Sequence, residues 1–381
     1  MVTAARPAPA TTQLVADEQG ALPLPWLCAP LAQALASQRG HALLVHGSPG
    51  VGALPYVLTL AQAWLCETHH AAALADQAVT GPCGRCASCR LVRNHLHPDL
   101  VVLMPETLRR AFDWPLADDK LDSDDAKRKP SRQIRIDEVR GLIDWSTKTS
   151  ARGRGKVAVL HPADALNVQS ANALLKTLEE PSPGTRLLLT TADPAQLLPT
   201  VRSRCQLLTL QAPPRDVATA WLASQGLAQA DVLLAACSGR PLDALTLARA
   251  GVSSETWAAL PAAVALGHAA ALAGWPVPRM LDALHKLCHD AMALSAGGAP
   301  RYFPVGSVPR KGLLSALAAW SHELDRVARF EDHPWNEGLL LDALVQQGAG
   351  ALRTASTTAS TTSPAASLAT PSAPRLDTLP P

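Results

Sequence analysis

The sequence lacks a net charge large enough to define a partner: 34 Lys and Arg against 32 Asp and Glu leave +2 over 381 residues. No bulk field therefore draws the chain to nucleic acid or to a membrane, and any contact with DNA needs a local patch or a larger assembly. It lacks an apolar run long enough to cross a bilayer, and its opening "MVTAARPAPATTQLVADEQG" has no apolar core of the secretory kind. It also lacks the spread cysteines of a disulfide framework: of eight, three crowd into "CGRCASC" and the rest are scattered. These absences imply a reducing, cytoplasmic setting. What is present is a globular composition, 48% hydrophobic and 17% charged, in a length suited to two or three domains.

Residues 1–20, rich in Ala, Pro and Thr, and the small, polar, Pro-rich stretch from about Gly348 to the end both read as disordered. Between them the first two hundred residues alternate short apolar runs with helical patterns. Strands are expected at 42–46 (ALLVH), 100–105 (LVVLMP), 156–161 (KVAVLH), 186–191 (RLLLTT) and 205–210 (CQLLTL), each nearly continuously apolar, as strands covered on both faces are. A helix over about Gln133–Thr149 places Ile136, Val139 and Ile143 on one face; another over Ser170–Glu180 aligns Ala171, Leu174, Leu175 and Leu178, and Pro181 fixes its stop. The alternation argues for a parallel sheet. The charged stretch 105–133 reads as a solvated loop, as does the basic "ARGRGK" at 151–156. Beyond Pro213–Pro214 the pattern is helical, so the fold class is α/β plus α.

The first strand runs into "HGSPGVGAL" (46–54), which has the glycine frame of a phosphate-binding loop but not its chemistry. Gly47, Gly50 and Gly52 are in place, while Ala53 and Leu54 replace the Lys and the Ser or Thr that would neutralise phosphate and hold Mg²⁺. A second loss accompanies the first. Where ATPases of this kind end a strand in a magnesium-binding acid, this chain has His161-Pro162, and an acid arrives only at Asp164. No functional ATP or Mg²⁺ site is expected.

"CGRCASC" places Cys83, Cys86 and Cys89 in a double C-x₂-C array, spacing that lets thiolates converge on one ion. Structural Zn²⁺ is the expected occupant. Cys66 is the candidate fourth ligand, with His69, His70, His95 and His97 as rivals; an iron–sulfur cluster is weakened by Arg93, which stands where a ferredoxin run needs a further Cys.

The run "NVQSANALLKTLEEPSPGTRLLLTTADPAQLLPTVRSRCQLLTL" (167–210) resembles the clamp-loader branch of the AAA+ proteins, through "SANALLKTLEEP", "LLLTT" and Ser203-Arg204-Cys205. With the lysine-less loop, the cysteine cluster and "HPDL" (97–100), residues 20–215 resemble a non-ATPase member of the bacterial DNA polymerase III clamp-loader family. The resemblance implies a RecA-like AAA+ parallel-sheet domain over 21–212 with a zinc-binding module at about 66–97. A small helical lid over 213–257 and a helical collar over 258–347 would follow. It implies that Arg204 is an arginine finger offered in trans to a neighbouring ATPase subunit, and that Thr190 and Thr191 stand where the first sensor of the γ-phosphate lies. It also implies partners: the ATPase subunits gamma/tau, the clamp-opening delta subunit, and the sliding clamp and primer–template DNA through the complex. Two other readings compete: an ATPase subunit of the same machine, which Ala53, Leu54 and His161 oppose, and a zinc-dependent DNA-binding protein. Polymerisation itself would belong to another subunit of the DNA-directed DNA polymerase holoenzyme.

Overall fold

The computed structural model describes residues 13–38, 40–68, 81–115, 130–309, 312–330 and 335–353. Its centre is a five-stranded sheet in the order β2-β3-β4-β1-β5, built from β1 (Ala42–Gly47), β2 (Leu100–Leu103), β3 (Lys156–Leu160), β4 (Thr185–Thr191) and β5 (Gln206–Leu210). All four pairings are parallel, with Val45 opposite Thr190 and Leu160 opposite Leu189. All five expected strands form, within two residues of the expected ends, because parallel strands buried between helices read as unbroken apolar runs. β5 departs from that description. As an edge strand it leaves Gln206, Leu207 and Thr209 exposed, and only Leu210 is buried.

The helices of this part, in chain order, are α1 (Cys28–Ser37), α2 (Ala53–Leu65), α3 (Ala87–Arg93), α4 (Glu106–Ala111), α5 (Ile136–Thr147), α6 (Val168–Glu179) and α7 (Pro199–Arg202). Strand alternation divides the sheet's side chains between two faces. Ala42, Leu44, Leu103, Ala158, Leu160, Leu187 and Leu189 pack against Val139 and Leu142 of α5 and Leu174 and Leu178 of α6. The opposite face meets α2, buried along almost its whole length and packed on β1, β3 and β4. Asn167 caps α6 by accepting the Ser170 N–H at 2.8 Å, and the helix stops at Glu179, ahead of Pro181.

Three expectations need correction. The first 20 residues are not wholly disordered: Leu14, Val15 and Ala16 are buried, and Ala16 exchanges backbone hydrogen bonds with the Gln62 amide at 2.9 and 3.2 Å. The stretch 105–133 is not all solvated loop; α4 forms, and buried Arg109 donates to Met104 O at 3.1 Å and Glu138 Oε1 at 2.8 Å. Residues 116–129 of it lie outside the described residues. The expected tail begins too early at Gly348, since a helix runs from Glu337 to Arg353 and buries Gly348, Ala349, Ala351 and Leu352.

The chain divides into two compact units, one of residues 1–258 with 301–303, the other of residues 259–300 with 304–381. The first includes α8 (Arg215–Ser224), α9 (Ala230–Ala236) and α10 (Pro241–Arg249), which pack on one another; Trp221 of α8 meets Trp26 edge-on at 5.3 Å. In the second, the helices Val277–Ser295, Leu314–Ala328 and Glu337–Arg353 share a core with Leu284, Leu287, Leu317, Trp320 and Leu344. Trp320 donates its indole N–H to Leu344 O at 3.1 Å.

A Cβ on Gly348 would lie 2.5 Å from Trp320 Cζ2, whereas one on Gly350, in the same helix, would meet nothing within 4 Å. Gly350→Ala should therefore raise stability by about 1 kcal/mol through helix propensity. Gly348→Ala should lower it by about 1–3 kcal/mol through overpacking. Chemical denaturation of the two variants checks the opposite signs.

Candidate functional site

The degenerate loop joins β1 to α2 at the carboxyl ends of the strands. Its glycines serve backbone geometry and close packing. Gly50 and Gly52 have φ of +78° and +105°, and a Cβ on Gly52 would lie 2.4 Å from Leu24 Cδ1. Gly47 lets β1 approach Leu210 of β5, where a Cβ would sit 3.2 Å from that of Leu210. Val51 is buried, its carbonyl accepting the Trp26 indole N–H at 2.8 Å. Leu54, at the place of the missing hydroxyl, is buried too.

Beside the loop lies a cavity of about 470 Å³, closed by Leu108, Phe112, His161, Thr190 and, from α10, Leu242 and Asp243. Among the described residues no Lys or Arg lines it, while Asp164 and Asp243 do. Among the described residues the site thus offers phosphate N–H dipoles and the hydroxyls of Ser48, Thr190, Thr191 and Thr246 but no cation, against two carboxylates. His161 fills the place of the expected acid. Its Nδ1 lies 2.7 Å from Thr190 Oγ1, and burial pushes the imidazole down to about 4, so it adds no charge at neutral pH. Thr191 accepts the Asp193 N–H through its hydroxyl at 3.1 Å. The approach of α10 to the loop, including Leu242 N–H to Gly50 O at 3.1 Å, had no signal in the sequence. Pro241 marks the start of a helix but not what the helix will meet.

The four cysteines converge. The Sγ atoms of Cys66, Cys83, Cys86 and Cys89 all lie within 4.8 Å of one another, with Cys83–Cys89 and Cys66–Cys86 at 3.9 Å. The backbone N–H groups of Cys83, Cys86 and Cys89 each donate to a sulfur of the set, at 3.3–3.5 Å. Hydrogen bonding from Cys89, Cys83 and Thr68 pulls the Cys66 thiol down to about 3 against the opposing pull of burial. Cys89 is pushed up by its hydrogen bond to Cys66 and by burial. One thiolate thus suppresses the next, and only a cation among them would let all four ionise together. This cluster can hold a metal ion, with Cys66 as its fourth member. The rivals do not join it: His95 stacks on Trp114 at 3.8 Å, and buried His97 accepts the Asp99 N–H at 3.1 Å. His69 and His70 lie outside the described residues.

A brace beside the cluster escaped sequence reasoning. Glu67, next to Cys66, accepts from the Ser88 N–H and hydroxyl and from Arg152 Nη2 at 2.5 Å, and Arg152 Nε donates to Ser88 Oγ at 2.9 Å. Arg152 holds the Glu67 carboxyl below the usual carboxylate range. The "ARGRGK" loop is therefore not simply solvated. Arg154 donates to Glu67 O, and Lys156 is buried under Trp145, whose carbonyl it meets. Asp99, within "HPDL", gathers the loop by accepting from Ala151 N at 2.7 Å, Arg152 N at 2.8 Å and Ser150 Oγ at 3.0 Å.

Arg204 stands between α7 and the edge strand β5. Its Nε and Nη2 donate to Glu179 Oε1, the former at 2.7 Å, and its Nη1 donates to Thr200 O at 2.9 Å. Its side chain keeps 32% exposure, and it does not line the cavity of its own loop. Arg202 donates to Pro194 O at 3.5 Å. Burial pushes the thiol of Cys205 up to about 11.

Because His161 titrates near 4 when folded and near 6.5 when free, the unfolded chain alone takes its proton between those values. Stability should fall as pH drops from 6.5 toward 4 and level off below, with about 2 kcal/mol lost from this group by pH 5. His161→Gln should remove that part of the loss, as thermal unfolding at pH 7 and 5 would show.

A family model described as "DNA polymerase III, delta subunit" matches residues 27–214. The DNA polymerase III subunit delta' of Pseudomonas aeruginosa is 36% identical over 236 residues, 59% of this chain and 63% of that protein, so the match spans less than two thirds of that relative. The delta' subunit of Escherichia coli is 31% identical over 284 residues, 69% of this chain and 76% of that one. Subunit tau of Escherichia coli is 33% identical over 172 residues, 45% of this chain and 22% of that protein. The breadth of the delta' matches decides the assignment: the chain belongs to the DNA polymerase III subunit delta' family.

Proposed function

We propose that the chain is the non-hydrolysing member of a DNA polymerase III clamp loader, a stator that helps place a sliding clamp on primed DNA. The observation that carries this reading is the cavity beside a well-formed phosphate loop, whose lining, among the described residues, has no lysine, no arginine and two carboxylates. Triphosphate needs a cation and a metal-holding hydroxyl or acid at these positions, and Ala53, Leu54 and His161 supply none. The tau relatives support membership of a DNA polymerase III assembly; in this reading gamma/tau and delta subunits are neighbours, and the clamp and primer–template DNA are met through the complex. In this reading the RecA-like domain reaches from the buried residues 14–16 to 212, residues 213–257 form the lid and 258–353 the collar, to the end of the helix Glu337–Arg353, and the assembly works in the cytoplasm.

Arg204 then serves a neighbour. Its guanidinium is permanently charged, partly exposed, beside an edge strand and away from its own loop. In the lone chain Glu179 holds it; in the assembly a neighbour's γ-phosphate would take the carboxylate's place, and the arginine would stabilise charge as it develops in transfer. Zinc is the proposed occupant of the cysteine cluster. Sulfurs bound tetrahedrally at about 2.3 Å lie about 3.8 Å apart, which matches the 3.9 Å separations. Four protein ligands leave no open position, so the metal is structural: it would hold α3 against the end of α2.

Arg204→Ala should leave folding intact and lower ATP turnover of the reconstituted clamp loader by at least an order of magnitude at the site it serves; unchanged turnover removes the finger role. ATP hydrolysis by the purified chain alone would overturn the stator reading. Cys86→Ser should lower bound zinc below one per chain and reduce the unfolding temperature, with metal analysis as the readout.

A further inference from the structure

Three of the four clustered thiols are placed by one short run of chain. Cys86 caps the start of α3, its sulfur accepting the Cys89 N–H at 3.3 Å, and the Cys83 sulfur accepts the Cys86 N–H at 3.4 Å. Cys66 comes from elsewhere. It follows the last turn of α2 with an extended backbone (φ −66°, ψ 129°), so helix geometry does not set where its sulfur lies. The next residue ties that segment down. The Glu67 carboxylate accepts from the Ser88 N–H and hydroxyl, at 3.2 and 3.1 Å, and Ser88 immediately precedes Cys89. Arg152 closes the triangle, its Nη2 donating to Glu67 Oε1 at 2.5 Å and its Nε to Ser88 Oγ at 2.9 Å. Arg154 donates to the Glu67 carbonyl, and the backbone N–H of Arg152 is anchored on buried Asp99 at 2.8 Å.

We propose that Glu67 and Arg152 are positioning residues of the metal site: together they hold Cys66 against Cys89 and set how long a bound ion is retained. Neither supplies a ligand. The carboxylate directs its acceptor oxygen at Ser88 and Arg152, and the opposite charges of the pair offset each other, so the effect on the thiolates is one of geometry. A guanidinium suits the task because its donors form a fixed fork, here divided between one carboxylate oxygen and one hydroxyl. A structural zinc site needs its fourth sulfur, since a displaced Cys66 would leave three ligands and an open position. An ordinary ion pair of this exposure, 32% for Arg152 and 37% for Glu67, would change stability slightly and metal retention not at all.

This role rests on the reading of the cluster as a zinc site, and the two are tested apart. The zinc-loaded full chain is challenged with a chromogenic chelator, and the release rate is compared with those of Glu67→Ala, Arg152→Ala and the double variant. Release should quicken at least about tenfold in each single variant and little further in the double one, because the two residues act as a unit. With cobalt(II) in place of zinc, the thiolate-to-metal charge-transfer absorption should weaken in the Ala variants in the same sense as in Cys66→Ser, which a merely structural role would not cause. Release at the unaltered rate, an unchanged cobalt spectrum, or fully additive effects in the double variant, in proteins whose unfolding temperature shows them folded, overturns the proposal. Should an Ala variant fail to fold, Glu67→Gln, which keeps the acceptor oxygen and loses the charge that holds Arg152, carries the comparison. Failure of the unaltered chain to bind zinc or cobalt would instead overturn the reading of the cluster itself.

Discussion

The left-handed turn at Gly52, with Leu24 packed on the side where a Cβ would project, is the constraint on which the loop and α2 depend. It brings α2 off the end of β1 and onto the sheet, where the helix is buried along nearly every turn. Buried Val51 and Leu54 then seal the loop from below. In a nucleotide-using protein the same glycines let backbone N–H groups face phosphates. Here apolar contacts of Leu24, Val51 and Leu54 hold the same shape. Any larger residue at position 52 would face both the unfavourable φ and the Leu24 side chain. Conservation of form and loss of charge are therefore compatible: one belongs to packing, the other to chemistry.

Charge is arranged on the same principle. The cavity beside the loop keeps carboxylates and a neutral His161, and three arginines nearby are engaged: Arg240 by Asp243, Arg204 by Glu179, Arg152 by Glu67. These ion pairs are partly exposed, and each contributes little to stability. Their effect is one of placement. Arg204 is held beside the edge strand β5 and away from its own loop.

Much of this was legible in the sequence, for reasons that also explain what was not. The five strands could be read because parallel strands between helices are apolar throughout, and the stop of α6 because Pro181 forbids its continuation. β5 gave the same apolar signal from an edge, where Leu207 is exposed, since periodicity does not report what covers a strand. The double C-x₂-C fixed three ligands by local spacing. The fourth was open among Cys66 and four histidines, because its selection depends on where α2 ends relative to α3. Asp243 was invisible for the same reason, lying almost two hundred residues from Gly50 and meeting it only through the docking of α10. Both termini misled for a different reason: composition favoured disorder, yet three apolar residues at 14–16 and a small-residue stripe from Gly348 each found a partner surface.

The two degenerate or unusual features of the first unit lie at opposite ends of one helix. α2 runs from Ala53 to Leu65 between its caps Gly52 and Cys66, thirteen residues that span about 20 Å at 1.5 Å per residue. One end is fixed by the loop's packing on Leu24 and α10, the other by the cysteine cluster and by Glu67, whose hydrogen bonds run through Ser88 and Arg152 to Asp99 at the start of β2. In a phosphate-loop ATPase the helix start answers to the nucleotide. Here both ends are held by the protein, and a metal among the four thiols would stiffen the buried end at Cys66. For the stator proposed above, a rigid α2 would help the edge that carries Arg204 hold its place.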